Sequence, residues 1–117
     1  MKRPEDFKRI FLYRKHTDMR KQSHGLASLV EEILGQSPFT GELFVFCNKK
    51  KDIIKAVYFD KAGFSLWCKK LDQSKFPWLK QAMQSTSFKI SPKDLSLLLD
   101  GVDVLKRHKQ LDFRELS

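Results

Sequence analysis

From Gly41 to Trp78 the chain sets short apolar runs between turns that carry lysine. The runs Glu42–Cys47, Ile53–Asp60 and Phe64–Leu71 are rich in β-branched and aromatic residues. Such residues suit a pleated, half-buried surface. Two turns separate the runs. In the second, Asp60-Lys61-Ala62-Gly63, Asp60 is placed to accept a turn hydrogen bond. Gly63 is placed to adopt the left-handed conformation that closes a short hairpin. The pattern predicts an antiparallel meander with ammonium groups at its ends. Residues 43–47 are apolar at every position, so this run is expected at the centre of the sheet, covered on both faces.

Upstream, Arg9–Arg14 holds Ile10, Phe11, Leu12 and Tyr13 between basic residues and reads as a first strand. A helix is expected over 19–34, capped by Thr17 or Asp18. Its apolar positions Leu26, Leu29, Val30, Ile33 and Leu34 follow one helical face, and Gly35 supplies the stop. After Leu71 a polar loop covers 72–77. The segment 78–87 fits either a loop or a helix that would align Leu79, Ala82 and Met83. Phe88–Ile90 reads as a short edge strand. Ser91-Pro92-Lys93-Asp94 then opens a second helix, with Ser91 as cap and Pro92 at the first helical position, and Gly101 ends it. Residues 1–8 read as a charged lead-in and 102–117 as a charged tail or frayed helix. The sum is one α+β domain over 1–101: an antiparallel β meander, an amphipathic helix packed on it and a second short C-terminal helix.

Charge narrows the partner. The 117 residues carry a formal net charge of +9 and a pI near 9.7. This favours nucleic acid or another acidic surface. Cys47 and Cys68 lie in predicted strands without metal-ligand or redox spacing and are expected as buried free thiols, as suits a reducing cytoplasm. No apolar leader and no run of membrane-spanning length occurs in the sequence, so a cytoplasmic protein without a membrane partner is expected.

The acidic residues are scattered among expected caps, turns and helix surfaces. His16, His24 and His108 have no neighbour at ligand spacing. Hence no catalytic residue, no metal and no cofactor is expected. Asp60 is the strongest lone acid, ending a strand beside aromatics. The basic residues form a better pattern. Lys49, Lys50 and Lys51 share one turn, and Lys69 and Lys70 end the third run. In a meander these two groups meet at one end of the sheet, where they suit phosphate. Arg20 and Lys21, on the expected first helical turn, form a second basic patch with Arg14 and Lys15, and helix N–H groups would add to the attraction. Trp78, beside Pro77, is open to two uses: filling the core or anchoring a protein partner.

Several motifs in order resemble one family. They are Thr17-Asp18-Met19-Arg20-Lys21, Gly25-Leu26, Leu43-Phe44-Val45-Phe46, Asn48-Lys49-Lys50-Lys51-Asp52, Asp60, Gly63-Phe64, Leu66-Trp67, Lys69-Lys70, Phe76 and Trp78. Together, over roughly residues 9–101, they resemble the TnpB-type accessory protein of the insertion-sequence-66 family of bacterial transposable elements. In this chain lysines stand at 49–51 and 70, where that family often has arginine. The resemblance implies a non-catalytic accessory factor for transposition, working with a separate transposase and a companion accessory protein of the same element. Together with the charge, it leads to the expectation that the protein binds DNA at the element ends. The alternative is a protein-interaction module that docks the transposase or companion with little DNA affinity of its own.

Overall fold

The computed structural model describes residues 2–78 and 87–102. Its elements are a 3₁₀ turn (Pro4–Asp6), β1 (Ile10–Tyr13), α1 (Ser23–Glu32), β2 (Leu43–Cys47), β3 (Ile53–Asp60), β4 (Gly63–Lys70), β5 (Ser87–Ile90) and α2 (Pro92–Leu99). The strands form one five-stranded sheet in the order β4-β3-β2-β1-β5. β2, β3 and β4 make the expected antiparallel meander, with Phe44 opposite Val57 and Ala56 opposite Trp67. The α+β architecture is as expected. One pairing makes the sheet mixed: β1 runs parallel to β2, with Leu12 opposite Val45. A parallel pair needs a crossover, and the stretch containing α1 provides it.

β2 is the middle strand and is buried at all its positions. Its alternate side chains divide between two cores. Leu43, Val45 and Cys47 join Ile10, Leu12, Ala56 and Tyr58 on one face, beneath Leu95 and Leu98 of α2. Phe44 and Phe46 join Tyr13 and Val57 on the other, beneath Leu26 and Val30 of α1. Sequestering a large apolar side chain contributes about 1.5–3 kcal/mol, so this one strand anchors much of the fold.

Several expectations are corrected. The lead-in is structural: Phe7 is buried and packs edge-on against Tyr58 and Trp67, with centroids 4.9 and 6.0 Å away. α1 starts at Ser23, not 19, and neither Thr17 nor Asp18 caps it. The cause is Lys55, which is buried on β3 and donates from Nζ to the carbonyls of Met19 (2.7 Å) and Lys21 (3.1 Å). Those carbonyls are thereby taken from helical bonding, and residues 18–21 form a turn closed by the Lys21 N–H on the Asp18 carbonyl at 3.2 Å. Gly25 belongs in α1 because an added Cβ would sit 3.3 Å from the Lys21 side chain. The apolar face of α1 is Leu26, Ala27 and Val30, with Leu29 only partly buried. Ile33 is 45% exposed, because it lies beyond the last helical residue.

In the β3–β4 turn the positive φ belongs to Lys61 (56°), and Gly63 pairs with Asp60. A two-residue loop with positive φ at its first residue follows the strand twist better than the expected geometry. Cys68 is exposed, because it lies on edge strand β4, whereas Cys47 is buried. Burial pushes the Cys47 thiol up to about 12. α2 keeps its expected start, with the Asp94 N–H donating to Ser91 Oγ at 3.1 Å. The reading of 79–86 and of the tail 103–117 lies outside the described residues.

Candidate functional site

One end of the sheet is defined by where its strands stop. β1, β2 and β4 finish there, and β3 and β5 begin there. Lys69 lies opposite Ile54 and Lys70 opposite Ile53, so both flank the turn that carries Lys49, Lys50 and Lys51. The Thr17 N–H donates to the Cys47 carbonyl at 2.8 Å, which draws Arg14, Lys15 and His16 to the same end. The Phe76 N–H donates to the Lys51 carbonyl at 2.7 Å, and this brings Lys75 alongside. Lys15, Lys49, Lys50, Lys51, Lys70 and Lys75 are all exposed. Among the described residues none of them is ion-paired.

The lysine turn is held by its own side chains. Asn48 Oδ1 accepts the N–H groups of Asp52 and Ile53, each at 3.0 Å. Its Nδ2 donates to Asp52 Oδ1 at 2.6 Å, so the one acid in the turn is engaged inward. The Lys51 N–H donates to the Asn48 carbonyl at 3.1 Å. Lys51 has φ of 62°, a conformation that costs a side-chain-bearing residue roughly 1–2 kcal/mol. The turn keeps an ammonium where glycine would be less strained.

Other residues singled out from sequence fall elsewhere. Lys69 donates to the Leu99 carbonyl at 2.7 Å, so its ammonium caps the C-terminal end of α2. Arg20 and Lys21 lie just ahead of the Gln22 N-cap of α1 and not on its first turn. The Arg20 guanidinium grips Asp18 through Nε (3.0 and 3.1 Å) and Nη2 (2.6 Å). The Arg20 hydrogen bond, more than its charge, holds the Asp18 carboxyl down to about 2. Trp78 is buried, and its indole N–H donates to the Tyr13 carbonyl at 3.1 Å. Of the two uses open to this ring, the structure shows the core one. The side chain of Asp60 makes no hydrogen bond among the described residues, so the expected turn acceptor role is not filled.

Two residues escaped the sequence reading. Lys75 lies in an apparently plain polar loop, and only the Phe76–Lys51 hydrogen bond reveals its neighbours. Lys55 carried a signal: a lone lysine within Ile53–Asp60 on the face α1 covers. A cavity of about 350 Å³ opens beside the basic end, lined by Tyr13, Arg14, Lys15 and His16. Burial raises the Tyr13 phenol above its ordinary pKa, and the Arg14 charge partly offsets this. Among the described residues no group of His, Cys, Asp or Glu is placed to hold a metal ion. Among them too, no helix is long and apolar enough to cross a membrane.

The motif order from Thr17 to Trp78 now has a physical frame, and comparison with known proteins agrees with it. Residues 8–109 match the family described as IS66 Orf2 like protein. The chain belongs to the IS66 Orf2-like family. This IS66 Orf2-like protein is 37% identical over 106 residues to the uncharacterized protein y4hO of Sinorhizobium fredii, covering 91% of this chain and 89% of that one. It is 33% identical over 95 residues to y4jC of the same organism, covering 81% and 80% respectively. No solved structure matches it. Family membership gives the protein a transposition-associated accessory role.

Proposed function

We propose that this IS66 Orf2-like protein binds element DNA through the lysine-rich end of its sheet and thereby assists a separate transposase. The observation that carries the reading is the convergence of Lys49, Lys50, Lys51 and Lys70 with Lys15 and Lys75, all exposed and none ion-paired among the described residues. Cations contributed by four separate segments and held on a braced turn form a surface that displaces counterions from phosphate. Cleavage belongs to the transposase in this reading. Asp60 is the acid to test: incubation with element-end DNA and Mg²⁺ should leave the DNA intact, and strand cleavage that vanishes in Asp60→Asn would overturn the accessory reading.

The direct test is titration of element-end duplex with the full chain at several salt concentrations. The logarithm of affinity should fall against the logarithm of salt with a slope of roughly −3 to −5. Replacing Lys49, Lys50 and Lys51 by Ala should make the slope shallower by about 2–3 in a protein that still melts cooperatively. An unchanged slope in the folded variant would remove this surface from the interface. The second reading uses the same lysines, since exposed point charges suit carboxylates as well as phosphates. It predicts little affinity for free DNA and salt-sensitive binding to the transposase or the companion accessory protein.

A further inference from the structure

The basic end has a chemistry that selects among nucleic acids. We propose that its ligand is the phosphate backbone of duplex DNA, held without reading the bases; this rests on the DNA-binding reading above. Three observations converge on it.

The first concerns stacking. Recognition of unpaired bases uses exposed aromatic rings beside the cations. Here the rings nearest the lysines face inward. Tyr13 and Phe46 pack against each other at 5.7 Å beneath α1. Phe76 is 1% and Trp78 7% exposed, and the Trp78 N–H is already used on Tyr13. These four rings therefore offer no stacking platform beside the cations, and the exposed ring at this end is the smaller imidazole of His16.

The second concerns hydrogen bonding to base edges. The commonest specific contact is a guanidinium fork on guanine, and lysine lacks the fork's fixed geometry. Among the described residues the exposed cations at this end are lysines. The Nε–Nη2 edge of Arg20 is engaged by Asp18 through bonds of 2.6–3.1 Å. Arg14 is partly buried in the cavity wall.

The third concerns shape. Entry into the major groove needs a projecting helix or two-stranded ribbon. The β2–β3 turn does not project as a ribbon, because its neighbours end level with it. β1 runs to Tyr13, one residue past the Leu12–Val45 pair, and β4 runs to Lys70, opposite Ile53. The cations therefore stand in a row across four strands, about 14 Å wide at ~4.8 Å per strand spacing. A row of that width lies across several phosphates of a duplex, whose charge density exceeds that of a single strand.

The test uses the full chain and three labelled probes of equal length: an element-end duplex, a duplex of shuffled sequence, and a single strand. The two duplexes should bind within about threefold of each other, as expected for backbone contacts alone. The single strand should bind about fivefold or more weakly at low salt, with a shallower slope, near 0.7 against 0.9 per phosphate. Lys49, Lys50 and Lys51 to Ala should weaken all three probes. A single strand bound as tightly as the duplexes, or an element-end preference above about tenfold, would overturn the inference while leaving DNA binding intact. Absence of binding to every probe would overturn both.

Discussion

At one end of the sheet the strands stop level behind a braced turn, and among the described residues Lys15, Lys49, Lys50, Lys51, Lys70 and Lys75 form no ion pair, although the exposed Asp72 lies between Lys70 and Lys75 in sequence. At the other end, charges of both signs alternate. Arg9 precedes β1 and binds Glu42, which precedes β2, at 2.6 Å. Lys61 adjoins Asp60 in the β3–β4 turn, and Glu5 and Asp6 lie just ahead of β1. That end also shows aromatic surface: Phe39, 58% exposed, lies 5.2 Å from Phe59 and 5.5 Å from Phe64. Net charge alone does not describe such a molecule. Neutralised ends contribute little to a field, so among the described residues the excess is expressed where acids are few or, like Asp52, bonded inward. Both ends have a turn with a lysine at positive φ, and their difference is open to direct test.

The largest expected effect separates the braced turn from the unbraced one. Asn48→Ala deprives two backbone N–H groups of their acceptor and releases Asp52. It should cost about 2–3 kcal/mol in urea unfolding. Asp60→Ala at the opposite turn should cost less than about 0.5 kcal/mol, since its side chain makes no hydrogen bond among the described residues. Equal losses would mean that the two turns are supported alike.

A smaller effect isolates function from stability. Lys51→Gly and Lys61→Gly each relieve a left-handed side-chain-bearing residue, and glycine's greater chain entropy offsets part of the gain. Each should stabilise by up to about 1 kcal/mol in the same unfolding assay. Only Lys51→Gly should weaken duplex binding at low salt, because only Lys51 stands among unpaired cations. Loss of affinity in both variants would show that the ends are not distinct in function.

The smallest effect concerns the motif beside the basic end. Asp18 has a folded pKa of about 2 against an ordinary 3.8, because Arg20 bonds to its ionised form. A depressed carboxyl contributes stability above its unfolded value, and that contribution disappears as pH falls from 3.8 through 2. Solvent screening of this exposed pair keeps it small. NMR titration should find the Asp18 midpoint near 2 and return it toward 3.8 in Arg20→Ala. An unmoved midpoint would detach the pair from its assigned cause.

Local pattern made much of this legible. The meander, the second helix with its Ser91 cap and the central place of β2 follow from periodicities of two and near four, which need only neighbouring residues. The meeting of Lys70 with Lys49–Lys51 was legible too, since antiparallel strands return to where they began. Other features needed distant contacts. The late start of α1 depends on Lys55, 36 positions from Met19, and Lys75 joins the basic end through one backbone bond. Lys69 reads like Lys70 in the sequence, yet it ends on the Leu99 carbonyl.

By itself the sequence determined the strands of the meander, the α+β class, the excess of positive charge and the family. Each depends on composition or on order along the chain. The tertiary structure alone decided which cations are free, which aromatics are sealed in the core, and that β1 lies parallel to β2. Those outcomes depend on which groups arrive within about 3 Å of one another, and hydrogen bonds at that range are made by the folded chain, not by its local pattern.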